Sequence, residues 1–406
     1  MNISLKPLNE GLNTAQIQEA IDKIALSGGG TLSLSAGRYI SGSIELKSNI
    51  CLCLEAGCVL KASGNIEDFP FIGFMHNEMG PTKSFIWSRN CENITLCGDG
   101  IIDFSDECYY ALDEISSYEV PGVVLSENQK KECCARRINS NENTINQPIF
   151  FESCKHTKVN GIKLLHSTFW TLTFSRCDDI HISGITVDNR RNVGNSDGIH
   201  LCASKNAVIS DCNISAGDDC IALTCITDKS GVSENITIVN CNFQSTSAAI
   251  RLGHLNAKVR NICVSNINIS DSNRGIAVFA RNGGRVSNVH MSNINIETRV
   301  FCGQWWGRGE ALFVCAANSD GVIENMTFEN IYAESENGVV IVGENNNVRN
   351  ITLSNFNVAL KNSENREMIG KALDMRPNGY VENYFPKPVD KYVRDAQVSF
   401  EKFNKF

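Results

Sequence analysis

A repeat constrains this chain more than any other feature. A short alternating stretch opened by Asp or Asn recurs along the second half of the sequence. It reads Asp178-Asp179-Ile180-His181-Ile182, Lys205-Asn206-Ala207-Val208-Ile209, Glu234-Asn235-Ile236-Thr237-Ile238 and Arg260-Asn261-Ile262-Cys263-Val264. It then continues as Ser287-Asn288-Val289-His290-Met291, Glu324-Asn325-Met326-Thr327-Phe328 and Arg349-Asn350-Ile351-Thr352-Leu353. The marker falls at Asp179, Asn206, Asn235, Asn261, Asn288, Asn325 and Asn350, so the steps are 27, 29, 26, 27, 37 and 25 residues. Alternation within each repeat signals strand, not helix. Short strands at this period, with no helix between them, predict an all-β fold. The expected form is one parallel β-helix over residues 1–406, each repeat forming one coil and coils stacking about 4.8 Å apart. A leucine-rich solenoid would carry Leu-x-x-Leu-x-Leu, which is absent, and a sandwich would not repeat so regularly. The recurring Asn is expected to form a hydrogen-bonded ladder at a turn.

Segments that break the repeat define the rest of the organisation. Residues 13–27 read as a helix capped by Asn13 or Thr14, with Ile17, Ala20, Ile21 and Ile24 on one face and Gly28-Gly29-Gly30 ending it. Such a helix would close the open end of the solenoid, where strand edges are otherwise bare. The glycine triplet is not a phosphate loop, because it follows a helix and no Lys-Ser/Thr follows it. Residues 104–147 are polar and charged and read as a lid-like insertion. Residues 361–406 read as a C-terminal cap or tail.

Composition excludes several classes. The 37 basic and 45 acidic residues give a net charge of −8, which argues against nucleic acid or an anionic membrane as partner. No apolar run is long enough for a transmembrane helix, and Met1 to Asn13 lacks a hydrophobic signal core. The 18 cysteines therefore read as reduced thiols of a cytoplasmic protein, many of them small core residues in strands. A disulfide framework is the lesser alternative, and no paired CxxC motif marks a zinc site. No cofactor or metal is expected, and the oligomeric state is not legible.

The chemistry lies in a second recurring strand: Asp197-Gly198-Ile199-His200-Leu201, Asp219-Cys220-Ile221-Ala222-Leu223, Ala248-Ala249-Ile250-Arg251-Leu252 and Arg274-Gly275-Ile276-Ala277-Val278. The Ile and Leu columns should face the core. The column after each Ile (His200, Ala222, Arg251, Ala277) should face out. Asp197 and Asp219 then stack on adjacent coils beside Asp218, gathering three carboxyls, His200 and Arg251 on one stiff patch. A single Asp-Gly is ordinarily a turn residue capping its own backbone. Three like charges together repel, so a structural role explains them poorly. A calcium site is a second reading. Acid/base catalysis on a glycosidic bond is the leading one, since neighbouring acids push each other's pKa values apart and supply one protonated and one ionised carboxyl.

Three stretches carry a family resemblance: Asn195-Ser196-Asp197-Gly198, Gly217-Asp218-Asp219-Cys220 and Ser167-Thr168-Phe169-Trp170-Thr171. Here the chain resembles the polygalacturonase-type glycoside hydrolases of family 28, from about residue 14 to 355. The resemblance implies a right-handed parallel β-helix and inverting hydrolysis. It implies Asp218 as general acid, with Asp197 and Asp219 activating the attacking water. Inversion fits carboxyls about 6.5–9.5 Å apart, with room for a water between them. Two motifs depart from the family. Ser247-Ala248-Ala249 stands where the family has Gly-His-Gly. Ala277-Val278-Phe279 stands where its Arg-Ile-Lys grips the uronate carboxylate.

Those departures direct attention to other binding residues. His200 or His254 could replace the missing His, although a lone His is more often structural. Arg251 could supply a displaced clamp, with Arg281 and Arg308 as weaker candidates. Trp305 and Trp306, in the 37-residue step, and Trp170 could stack on sugar faces, or pack in loop and core. The expected substrate is a pectin-derived or related oligosaccharide. A cytoplasmic enzyme would meet short fragments and act on chain ends. The alternative is a non-hydrolytic carbohydrate-binding protein or a lyase-like β-helix, which the two departures favour.

Overall fold

In a computed structural model, the chain forms a single right-handed parallel β-helix. The structure describes residues 1–116, 124–226, 230–302, 307–317, 320–362, 365 and 388–405. Among them, two large parallel sheets of 19 and 11 strands carry the solenoid. Among the described residues, antiparallel pairing is confined to two excursions: Phe71–His76 with Gly80–Lys83, and Tyr110–Ile115 with Ala135–Arg137.

The predicted register holds in the smaller sheet. Ile199 pairs with Ile221, Ile221 with Ile250, Ile250 with Ile276 and Ile276 with Leu312, and all five are fully buried. Leu201, Leu223, Leu252 and Val278 form a second inward column. The intervening column, Thr173, His200, Ala222, Arg251, Ala277 and Phe313, lies on the outer face. Stacking identical apolar shapes in register packs the interior without gaps, which is where a solenoid finds most of its stability.

The larger sheet turns through two asparagine ladders. Asn235 donates to Asn206 at 3.0 Å, Asn261 to Asn235 at 3.1 Å, Asn288 to Asn261 at 3.2 Å, Asn325 to Asn288 at 3.2 Å and Asn350 to Asn325 at 2.7 Å. A second ladder runs five residues later, from Asn355 through Asn330, Asn293, Asn266 and Asn240 to Asp211. These rungs hold left-handed backbone (Asn261 φ 58°, Asn288 φ 56°), a conformation Asn tolerates better than other side-chain-bearing residues. The first ladder ends on Asp178, at 2.7 Å from Asn206, and not on the marker Asp179. Asp179 shares the left-handed backbone, but its carboxylate is taken by His156 at 2.6 Å and His181 at 3.0 Å.

The helix spans Thr14–Leu26 and buries Ile17, Ala20, Ile21 and Ile24 in the main core. Neither expected cap bonds the helix's own N–H groups. Asn13 Oδ1 accepts from Leu8 N and Gln16 Nε2, and Thr14 Oγ1 accepts from Gly42 N at 2.7 Å. Both side chains tie the helix to its neighbours instead. The C-terminal segment is more than a tail: Lys391–Arg394 and Ala396–Lys405 pair in parallel with Asn337–Val342 and Val348–Leu360, adding a coil.

Within 104–147, helix Glu127–Glu132 begins with a Ser126/Gln129 capping box, and strands Tyr110–Ile115 and Ala135–Arg137 flank it. Cys133, with Ile115 and Leu125, packs on an outer apolar cluster of Ala248, Ala277, Phe279, Phe313, Cys315 and Val340. The insertion therefore covers the outer face of the smaller sheet just past Arg251.

Candidate active site

Three motifs converge because the coil spacing stacks them and a few side chains stitch them. Ser196 Oγ donates to Val193 O at 2.7 Å and accepts from Gly217 N at 3.0 Å, joining the Asp197 loop to the Asp218-Asp219 loop. Asn189 Nδ2 donates to Ser196 O and to Thr171 Oγ1, while its Oδ1 accepts from Ser167 N, which ties in the Ser167–Thr171 stretch. Both glycines are needed for closeness. A Cβ on Gly198 would lie 2.5 Å from Cys220 O, and one on Gly217 would lie 2.1 Å from Val193 O.

The three aspartates sit together on this frame and are largely withdrawn from solvent. Asp197 and Asp219 are fully buried and Asp218 keeps 5% exposure. Arg251 reaches them from the next coil. Its Nε binds Asp219 Oδ2, and a terminal nitrogen lies 3.8 Å from Asp197 Oδ2. Asp219 Oδ1 also accepts from Ala248 N at 3.3 Å. Burial disfavours the Arg251 charge, yet the carboxylates of Asp219, Asp197 and Asp218 raise its proton affinity above the ordinary value. Arg251 is thus a fixed cation, ion-paired with Asp219.

Asp197 is the contrasting case. Burial, then the charges of Asp218 and Asp219, push its pKa well above the usual range. Neither of its side-chain oxygens finds a hydrogen-bond donor among the described residues. His200 Nδ1 lies 3.2 Å away but is misaligned for a hydrogen bond, while Nε2 meets Thr224 Oγ1 at 2.9 Å. Burial and the Arg251 charge keep the His200 pKa well below normal, so the ring is neutral. Trp170 is buried against His200, ring centres 3.8 Å apart.

A further arm reaches the site from the hairpin Phe71–His76/Gly80–Lys83. His254 Nδ1 lies 3.2 Å from Arg251, and its Nε2 lies 3.2 Å from Glu78 Oε1 in the hairpin turn. His76 from the same turn packs edge-on against Trp170 at 5.0 Å, and burial lowers its pKa to about 4. Met79 joins an apolar group with Phe169, Trp170, Cys202 and Ile226.

Of the residues singled out from sequence, Asp197, Asp218, Asp219, His200, Arg251, His254 and Trp170 come together. Arg281 follows strand Arg274–Phe279, its N–H bonded to Leu255 O at 2.8 Å. Arg308 is buried two coils away, its N–H donating to Glu310 Oε2 at 2.6 Å beside the Arg274–Glu310 ion pair. Trp305 and Trp306 lie outside the described residues. Sequence reasoning missed Glu78, His76 and Asn189. None carries a repeat marker, and Glu78 meets His254 across 176 positions of sequence.

A family model of glycosyl hydrolases family 28 matches residues 76–371. An endo-polygalacturonase of Pectobacterium carotovorum subsp. carotovorum is 25% identical over 295 residues, covering 69% of each chain. The fold superposes on an exopolygalacturonase of Thermotoga maritima with a TM-score of 0.70 at 17% identity, covering 99% of this chain and 91% of that one. It superposes on a family 28 exopolygalacturonase of Yersinia enterocolitica with a TM-score of 0.68 at 16% identity, covering 100% of this chain and 78% of that one.

Proposed function

The chain belongs to glycosyl hydrolases family 28 and is a glycosidase, and from that premise we propose that it hydrolyses pectin-derived oligosaccharides from their ends with inversion. The observation that carries this reading is the trio of aspartates braced by Arg251. Asp218 is the least buried of the three and serves as general acid to the leaving oxygen. Asp219, ion-paired with Arg251, takes the proton of the attacking water. Asp197 shares that water and, with its raised proton affinity, moderates the charge of the site.

Action at chain ends is supported by two walls. The insertion packs over Ala248, Ala277 and Phe313 on one side, and the hairpin turn of His76 and Glu78 lies over Trp170 and His254 on another. The buried apolar packing of Ala277 and Phe279 also puts no basic side chain at those two positions. Substrate choice at the cleaved bond then rests on other contacts. In the reducing, cytoplasmic setting that this reading takes as its premise, short fragments are the available substrate.

A screen against uronate, rhamnose, galactose and fucose oligosaccharides, read by reducing ends and product length, tests this. Monomer or dimer as the first product is expected. Mid-length products from long chains would overturn action at chain ends. Ultraviolet-absorbing products would favour the lyase alternative, which the structure gives little support: Arg251, tied to Asp219, is a poor proton acceptor. Binding without turnover, unchanged in Asp218→Asn, would favour the carbohydrate-binding alternative.

A further inference from the structure

A chain of four polar groups runs from the hairpin to the aspartates: Glu78, His254, Arg251, Asp219. Its proton arrangement follows from chemistry. A guanidinium only donates, so His254 Nδ1 must accept from Arg251, and the ring proton must sit on Nε2, facing the Glu78 carboxylate. Gly253 makes this possible. Its φ of 82° and a backbone approach that would put a Cβ 2.0 Å from Phe279 O turn the chain so that His254 lies back beside Arg251. The hairpin turn is itself anchored. His76 Nδ1 accepts from Glu78 N at 3.1 Å and Met79 N at 3.2 Å, and the Asn77 amide donates to Ile226 O.

We infer that Glu78 is a positioning residue for hydrolysis: it fixes the tautomer of His254, which aligns Arg251 so that its Nε edge holds Asp219. The inference rests on the glycosidase reading above, but concerns a residue remote from the reacting bond. With the carboxylate in place, the His254 lone pair faces Arg251 and steadies one of its terminal nitrogens. Without it, the imidazole is free to carry its proton on Nδ1, where it would oppose an Arg251 N–H. The guanidinium then loses a fixed acceptor and its grip on Asp219 loosens. Among the described residues, the titratable groups around the chain are Asp218 and Asp197 beside Arg251 and Asp219, with neutral His200 behind Asp197 and His76 beside Glu78.

Two measurements separate this from the hydrolase reading. Nitrogen-15 NMR of the imidazoles, with His254 assigned by its loss in His254→Asn, reads the tautomer whether or not any glycan is cleaved. The expected result is Nε2-protonated His254 in the native protein and a tautomer mixture in Glu78→Ala. An unchanged tautomer overturns the inference. Kinetics on the cleaved oligosaccharide form the second arm. Glu78→Ala is expected to lower kcat about tenfold with little change in KM. It should also move the acid limb of the pH profile up, as the Arg251–Asp219 ion pair loosens. Glu78→Gln, whose amide oxygen still accepts from Nε2, is expected to recover most of kcat. A loss confined to KM would make Glu78 a sugar contact. Failure of Glu78→Gln to recover would make its charge, not its hydrogen bond, the active feature. Either result overturns the positioning role. No cleavage by the native protein would sink the hydrolase reading and leave the NMR arm to decide this one.

Discussion

Asp197 should be a residue the fold would be more stable without. It is fully buried, neither side-chain oxygen has a hydrogen-bond donor among the described residues, and burial and its acidic neighbours raise its pKa. Asp197→Asn keeps the shape and removes the ionisable group. The sign follows from proton linkage. With the folded pKa above the unfolded one, the native state holds a proton that the unfolded chain releases. The native contribution is therefore fully favourable below the unfolded carboxyl range and is lost as pH rises toward the folded value. Asn has no such dependence. The variant is expected to gain on the order of 1 kcal/mol near pH 7, by relief of the proton-linkage cost alone, since the Asn amide meets the same shortage of partners. The gain should shrink toward zero near pH 4. Arg251, 3.8 Å away, acts in the opposite sense, but its nearer carboxylate is Asp219. Midpoints of thermal unfolding at both pH values, at one scan rate, provide the assay. Hydrolysis should fall by about a thousandfold or more in the same variant. An Asn variant less stable than the native protein at neutral pH, or equally shifted at both pH values, would refute the reasoning.

Other perturbations test neighbouring parts of the same structure. Arg251→Met leaves Asp219 and Asp197 buried without their cation, and should cost about 3–5 kcal/mol at neutral pH by denaturant titration, with activity lost; a neutral effect would mean the pair is not a structural brace. Asp218→Asn should lower kcat about a thousandfold while KM moves only a few-fold, and full retained rate would remove Asp218 as the acid. Asn288→Ala loses two ladder bonds and places Ala in left-handed backbone, for about 1–3 kcal/mol by thermal unfolding; Asn288→Gly should be milder, and equal costs in the two variants would show that the bonds, not the backbone, set the cost.

The sequence made the solenoid legible because its physics is one-dimensional. A column of Ile at 199, 221, 250 and 276 can be aligned by eye, and the fold does nothing more than stack it. That register also delivered the acids, His200 and Arg251 to one place. It failed where the chain leaves the coil. Glu78 arrives from a hairpin that shares no period with the repeat, and the insertion's packing on Ala277 and Phe313 depends on side chains meeting across sheets. Asn13 does hold the N-cap position, but the bonding of Asn13 and Thr14 was not legible, for a related reason. Their residue types suit a helix end, but tertiary partners at Leu8 and Gly42 bind them instead.

The altered motifs can be read as one coupled change. Ala248 stands where the family carries His, and its methyl packs into the outer apolar cluster with Ala277, Phe279 and Phe313. The basic group of this coil is Arg251, three residues on, and it meets Asp219 from the neighbouring outward column. An imidazole in that place could lose its proton in the neutral range, whereas a guanidinium held between carboxylates cannot. Arg251 therefore contributes the same charge at any working pH. A pH–rate profile should then report the carboxyl groups, the raised proton affinity of Asp197 among them, and not Arg251. Fixing the cation also gives the hairpin its influence, because only a donor-rich guanidinium can bind Asp219 through one edge while offering another to His254 and, through it, to Glu78.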